Sequence, residues 1–364
     1  MSEVERREGL GDGARTGLAV ALGLAIGFGL ILLVSDEPVR AMRALLAGPL
    51  PELQVDAQGH LQWRRLTLIT SVIEEALTLT LLGLAVAMGF RARLFSMGAD
   101  GQFLLAALAA AWMAHQWASP AAAALVGVVA AVLVGSAWGA LPGVMKTRWQ
   151  ANEIVTSLML NLVALQLYRL VITHGFNDPT AGFVATPALP PGAGLAAWWP
   201  SSRLGLFVVL VPLAVLLAWA VLARSTLGYR IRAVGDAPAF ARHTGMPVNR
   251  TQVLALALGG GFAGLAGAHL ALAQLPRLPA DLAPGLGFEG LMVALLAANQ
   301  PRRIVWAALG YAYLKAGGQA MERASDVPRE MVMVVQALIV LLVVCRGLRW
   351  PWPGSMFRQD RRVP

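Results

Sequence analysis

Long apolar runs alternate with short polar intervals from one end of the chain to the other. The runs fall at 17 to 34, 67 to 90, 103 to 118, 120 to 145 and 153 to 173, then at 204 to 223, 251 to 275, 285 to 299, 303 to 320 and 328 to 345. A membrane-spanning helix needs about 20 mostly apolar residues, so each run reads as a crossing. The 285 to 299 run is short and the 103 to 118 run marginal, which brackets the count at eight to ten. The fold class expected is an all-α integral membrane protein, a polytopic helical bundle.

Composition turns that reading into an exclusion. Of 364 residues 57% are hydrophobic and 13% charged, with a mean hydropathy of +0.63. A soluble chain has no way to hide so much apolar surface. One cysteine, Cys345, rules out a disulfide scaffold. The net charge of +9 comes almost wholly from arginines in the polar intervals, a pattern of topology signals rather than of nucleic-acid binding.

The positive-inside rule orients the bundle. With the N-terminus inside, the inside intervals carry Arg91 and Arg93, Lys146 and Arg148, five arginines between 224 and 250, Arg302 and Arg303, and finally Arg346 and Arg349. The outside interval 35 to 66 offsets its arginines with acids, and 174 to 203 holds one arginine beside Trp198 and Trp199, which suit the water interface. Ten crossings place both termini in the cytoplasm; a re-entrant 285 to 299 would force the basic C-terminus outside, so it is read as a short crossing. The domains expected are a cytoplasmic tail over 1–16, a transmembrane domain over 17–347 with a cytoplasmic loop over 224–250, and a basic tail over 348–364. The flank of the first run mixes acids with arginines and no small-x-small site follows it, so it is read as an anchor rather than a cleaved signal.

Five segments carry more information than their hydropathy. In 83–102, Gly98 and Gly101 punctuate a polar stretch, with Asp100 and Gln102 beside them, as helix breakers or caps; an ordinary inside turn would look similar. In 152–161, Asn152 is placed to N-cap a span, Glu153 suits the positive helix end, and Asn161 lies deeper, as interhelical glue or as pathway lining. In 224–250, Asp236 is placed to cap a short helix with Pro238 in its first turn, Gly245 to end it and Pro247 to prevent continuation. That two-turn helix would present Phe240 and Arg242 as a docking knob; the alternative is a connector held by anionic lipid. Gly260, Gly264 and Ala268 have the small-xxx-small spacing of close helix packing. Finally 285–301 is a short helix bounded by breakers and containing Glu289, the kind of interrupted segment found at transport pathways. Its hexapeptide from Gly290 looks like the one from Gly83, too short a match to rest a fold on.

Catalytic chemistry is missing from this pattern. Neither Lys146 nor Lys315 sits in a phosphate-binding Gly-x-x-x-x-Gly-Lys loop, and the five histidines show no metal spacing. Glu74 and Glu75, adjacent near the start of an apolar run, are the sharpest oddity, either an interfacial solvated pair or a proton relay.

In this order the segments resemble the permease subunits of ABC importers of the ribose and nucleoside branch, the nucleoside-type permeases associated with basic membrane lipoproteins. Residues 90 to 102 match that family's Phe-Arg-Ala-Gly-Leu-Phe-Asn-Ile-Gly-Ala/Val-Glu-Gly-Gln stretch, Asn152 to Asn161 its Asn-Glu…Met-Leu-Asn, and Arg232 to Met246 its Arg-Ala-Val-Gly-Glu-Asn-Pro…Ala-Arg…Gly-Ile. Gly260 to Ala268 and Gly287 to Leu296 match two further stretches, so the resemblance covers roughly residues 67 to 345. Departures include Arg93 for a family Gly, Ser96 for Asn, Asp100 for Glu, Leu162 for Tyr and Ala297 with Ala298 for Gly-Arg.

The resemblance implies a permease of the bacterial cytoplasmic (inner) membrane with no catalytic residues and no cofactor or metal of its own. ATP and Mg would lie on a separate cytoplasmic ABC ATPase dimer, and a substrate-binding protein would deliver a nucleoside-like or simple-sugar solute. A second permease subunit, sister or identical, and membrane lipids complete the partners, with no nucleic acid. Asp236, Pro238, Phe240, Arg242 and Gly245 are then the coupling residues. Asp100, Gln102, Asn152, Glu153, Asn161 and Glu289 are pathway or gating candidates. The alternative is a proton-coupled secondary transporter using Glu74 and Glu75.

Overall fold

The computed structural model describes residues 21–33, 35–50, 52–55, 61–64, 66–117, 119–190, 205–282 and 285–345. The expected tails over 1–16 and 348–364, and Trp198 and Trp199, lie outside the described residues. Among those described, each of the ten apolar runs is helical over most of its length. Five helices are long and apolar enough to cross a membrane by length and composition. The chain divides into two compact units, Met1–Gly48 with Leu314–Pro364, and Pro49–Tyr313.

The first unit holds α1 (Ala21–Leu33), α2 (Pro38–Ala47), the end of α12 (Pro301–Ala324) and α13 (Arg329–Cys345). Its core joins Ile31, Leu45, Met321 and Val335. Asp326 accepts hydrogen bonds from the Ser35 hydroxyl and the Asp36 N–H.

The second unit opens with a hairpin of Glu52–Val55 and Leu61–Arg64, an addition to the all-α expectation. Helices α3 (Leu66–Arg91), α4 (Ala99–His115), α5 (Pro120–Trp149), α6 (Glu153–His174) and α7 (Phe207–Arg224) follow. After them come α8 (Thr226–Asp236), α9 (Pro238–His243), α10 (Val248–His269) with a π-helical end at Leu270–Gln274, and α11 (Leu286–Leu296).

Helix α10 is the axis of this unit. A Cβ on Gly260 would lie 2.1 Å from the Gly135 carbonyl oxygen, and one on Gly264 2.4 Å from that of Ala131. An adjacent face meets α3, where a Cβ on Gly259 would lie 2.5 Å from the Ala85 carbonyl oxygen. Backbones this close can pack only through residues without side chains, and in hydrocarbon such packing takes the place of a hydrophobic drive between helices.

Candidate functional site

Two parts of the second unit concentrate the singled-out residues: the α7 to α10 connector and a break between α3 and α4. The connector is more helical than expected. Ser225 N-caps α8 by accepting from the Gly228 N–H at 3.0 Å, and an Arg232 guanidinium N–H donates to the Leu222 carbonyl. Asp236 does not cap the short helix, contrary to expectation: it is the last residue of α8, and the N-cap of α9 is Ala237, with no side-chain bond. The physical reason is that α8 continues to Asp236, which leaves only one residue before Pro238. Helix α9 is six residues long, less than two turns. Gly245 does end it, at φ +79°, with its N–H on the Arg242 carbonyl.

A small cluster of Val234, Ala241 and Val248, with Met246 against it, fixes α9 to its neighbours. The opposite side stays uncovered: Phe240 is 60% exposed and Tyr229 on α8 56%, with Pro238 and Arg242 exposed beside them. Helix α8 also touches the bundle, because a Cβ on Gly235 would lie 2.3 Å from the Arg91 carbonyl oxygen.

Arg91 ends α3, and residues 92 to 98 run without helix until α4 begins at Ala99. Asn161 on α6 clamps this break: its Oδ1 accepts from the Gly101 N–H at 2.9 Å and its Nδ2 donates to the Met97 carbonyl at 2.7 Å. Ser157, one turn earlier, accepts from the Met97 N–H at 3.0 Å. Gly98 precedes the helix as a breaker should, whereas Gly101 lies inside the first turn of α4, where a Cβ would sit 2.9 Å from the Asn161 Oδ1. Gln102 is buried behind it.

Asp100 reaches across to α11. Its Oδ1 accepts from the Gly287 N–H at 2.7 Å and the Gly285 N–H at 3.2 Å, so the start of α11 is neutralised by a carboxylate that also lies in the first turn of α4. Two positive helix ends therefore converge on one acid. Gly287 is needed there, since a Cβ would lie 2.5 Å from the Asp100 N. Glu289, in the first turn of α11, is half-buried.

Helix α11 has 11 residues, about 16 Å at 1.5 Å per residue, against a hydrocarbon core of about 30 Å. Gln274 donates to the Thr78 hydroxyl at the middle of α3 and to the Glu74 carbonyl a turn earlier, and the Arg91 Nε at the last residue of α3 donates to the Asn299 carbonyl. The chain is thus held against the middle of α3 before α11 and against the end of α3 after it. The two similar hexapeptides meet here, with a Cβ on Gly290 falling 2.5 Å from the Leu82 Cβ and one on Gly83 3.7 Å from the Gly290 carbonyl oxygen.

Asn152 caps α6, its Oδ1 accepting from the Ile154 and Val155 N–H groups at 2.9 and 3.4 Å. Glu153 pairs with Lys146 at 2.6 Å, tying α5 to α6. Gly260, Gly264 and Ala268 are buried. Glu74 and Glu75 are half-buried on α3, one turn from Thr78, whose hydroxyl meets the His269 Nδ1 at 3.0 Å.

Sequence reading missed several partners. The stripe facing Gly260 and Gly264 is Ala131, Gly135 and Gly139, within a four-residue spacing that runs from Gly127 to Gly143 in the sequence. Gly235 and Ser157 carried no assigned role, and nothing in their local spacing announces contacts 60 and more residues away.

These interrupted helices, glycine-packed spans and an exposed connector helix define a multi-pass membrane permease. The family described as branched-chain amino acid transport system / permease component matches residues 68–344, and the chain belongs to that family. It is 35% identical over 306 residues to the glucose ABC transporter permease protein TsgB13 of Haloferax volcanii, covering 80% of each chain. It is 33% identical over 331 residues to the guanosine ABC transporter permease protein NupP of Bacillus subtilis, covering 90% of this chain and 91% of the relative. To the nucleoside ABC transporter permease protein NupB of Lactococcus lactis it is 29% identical over 287 residues, 74% and 76% of the two chains. The chain is an ABC transporter permease subunit; these relatives lend no support to the proton-coupled alternative.

Proposed function

We propose that the chain forms half of the membrane pathway of an ABC importer for a nucleoside-like or simple-sugar solute. It lies in the cytoplasmic membrane of a bacterium with both termini in the cytoplasm, where the arginine-bearing intervals fall. A separate ATPase dimer carries ATP and Mg, a binding protein delivers the solute, and a second permease, sister or identical, forms the other half. The names of the guanosine, nucleoside and glucose permeases support the solute class.

The observation that carries the mechanism is α9, anchored on one side and bare at Phe240 on the other. In this reading α9 docks in a groove of the ATPase with Phe240 as its buried anchor, Tyr229 and Arg242 beside it, Pro238 fixing its start and Gly245 its end. Truncating an anchor aromatic at an interface costs about 2 kcal/mol or more, roughly thirtyfold in affinity. Phe240→Ala is expected to leave membrane insertion intact while lowering ATPase co-purification and uptake together, and Gly245→Pro, which cannot hold a positive φ, to do the same. Wild-type co-purification and uptake in both variants would make the connector a surface element without a docking role.

A further inference from the structure

We propose that a single water molecule is bound in a buried polar cavity beside the break between α3 and α4, held by the Gln102 amide and the Ser96 hydroxyl, and that it makes the break a joint. The ligand is water itself. The site stands on the geometry of the second unit, whatever solute the importer carries.

Where α3, α4 and α10 meet, a cavity is lined by Val86 and Gly89 of α3, Ser96 of the break, Gln102 of α4, and Leu256 and Gly259 of α10. All six residues are buried. The cavity offers about 10 Å³ to the centre of a water molecule, enough for one water. Gly98 gathers the two polar groups: a Cβ there would lie 3.1 Å from the Gln102 Nε2 and 3.4 Å from the Ser96 Oγ, so both side chains turn back toward the break.

Neither group is satisfied by protein. The Gln102 N–H closes the first turn of α4 on the Gly98 carbonyl at 3.2 Å, but the side-chain amide, on a residue only 5% exposed, has no hydrogen-bond partner among the described residues. The Ser96 hydroxyl, on a residue 8% exposed, accepts from the Gly98 N–H at 3.4 Å and donates to nothing among the described residues. A buried amide without a partner is costly, and ordered water meets such groups where a polar cavity leaves room, whereas cavities that stay dry are apolar. Together the amide and the hydroxyl present donors and acceptors for the two to four bonds a buried water makes. No charged residue lines the cavity, so the site does not suit a metal cation, which calls for several oxygen ligands including carboxylates.

Position gives the water its consequence. Ser96 belongs to the non-helical residues 92 to 98 and Gln102 to α4, while Ser157 and Asn161 of α6 hold Met97 and Gly101 between them. A direct bond between Ser96 and Gln102 would fix one geometry of the break. A water between them can trade partners as the break shifts, and no buried polar group is left unpaired in either arrangement.

The test uses the whole importer, permease with its ATPase and binding protein, imaged in lipid nanodiscs at a resolution that shows ordered waters. A density peak is expected within about 2.7 to 3.2 Å of both the Gln102 amide and the Ser96 Oγ; an empty cavity, with other buried waters visible, overturns the site. Stability gives a second reading through its sign. Were the amide dry and unpaired, Gln102→Met would remove a buried unsatisfied group at nearly constant volume and raise the midpoint of thermal aggregation; with a water bonded to the amide the midpoint is expected to fall, and a rise overturns the proposal. Ser96 and Gln102 share no direct bond, so their coupling runs through the water. Ser96→Ala is expected to lower the midpoint in the wild type and clearly less in Gln102→Met, and equal shifts in the two backgrounds would deny a shared water. The joint is read in transport: Gln102→Met is expected to slow uptake of guanosine or glucose, whichever the wild type carries, severalfold with ATPase co-purification unchanged, and wild-type uptake in that variant overturns it. A wild type that carries neither solute would instead strike the solute class proposed above, while the density and the midpoints still decide the water site.

Discussion

Asp178 shows how a single side chain can fix a loop beyond the end of a span. Its Oδ1 accepts from the Thr180 hydroxyl at 2.6 Å and the Thr180 N–H at 2.9 Å, and its other oxygen pairs with Arg277. The Thr180 bonds, with Arg277 adding to them, hold the carboxyl below the usual carboxylate range. A lowered folded-state pKa contributes stability that is fully present above the unfolded value of about 3.9 and fades as pH falls through the folded one. The thermal stability gap between wild type and Asp178→Asn in detergent is therefore expected to be constant from about pH 5 upward and to close below about pH 4; a gap unchanged down to pH 3 would deny the carboxylate this role. Asn152 was legible as a cap from its position before an apolar run, because capping is local. Asp236 was misplaced for the same local reason: Asp two residues before Pro looks like a cap, and only the fold shows that α8, packed against Arg91 through Gly235, runs on to Asp236. Arg93, which departs from a family Gly, adopts φ +52°, the left-handed region where Gly is free of penalty.

At the level of elements, the ten apolar runs were readable because hydrocarbon demands helices of a set length. What each run touches was not, since contacts between spans depend on partners far apart in sequence. The α5 to α10 seam is the clearest case. One half was seen in Gly260, Gly264 and Ala268, and the other, spaced identically on α5, went unread because nothing local pairs the two. The seam leaves no room for side chains at its tightest point, 2.1 Å between a Gly260 Cβ and the Gly135 carbonyl oxygen. Overpacking typically costs about 1 to 3 kcal/mol, so Gly260→Ala is expected to lower the midpoint of thermal aggregation clearly. Gly310→Ala, where a Cβ would meet nothing within 4 Å, is expected to change it little. Equal midpoints for the two variants would mean that the seam relaxes at no cost. The interrupted character of 285 to 299 was legible from its flanking glycines, but its anchor was not: Asp100 lies 185 residues from Gly285.

Across the whole second unit, one chain of contacts leads from the exposed connector to the interior. Helix α9 is cemented to α8 and α10, Gly235 of α8 presses on the Arg91 carbonyl, and Arg91 leads straight into the non-helical residues 92 to 98. From that break Met97 and Gly101 are bound to α6 through Ser157 and Asn161, and Asp100 is bound to the start of α11. Regular helix resists bending, whereas a break held by side-chain hydrogen bonds can shift between discrete arrangements, so a displacement of α9 would reach α6 and α11 together. Spatial continuity alone does not establish coupling; a perturbation in the middle of the route, away from both ends, does. Gly235 is that point. A methyl group there would lie 2.3 Å from the Arg91 carbonyl oxygen, so Gly235→Ala must push α8 away from α3 while leaving Phe240 and the α9 surface unaltered. Co-purification of the ATPase and its ATP hydrolysis are expected to persist in Gly235→Ala while solute uptake falls at least tenfold, the reverse of the pattern expected for Phe240→Ala, where association and uptake fall together. Wild-type uptake in Gly235→Ala would show that the α8 contact transmits nothing, and loss of the ATPase in that variant would place the damage in docking rather than in transmission.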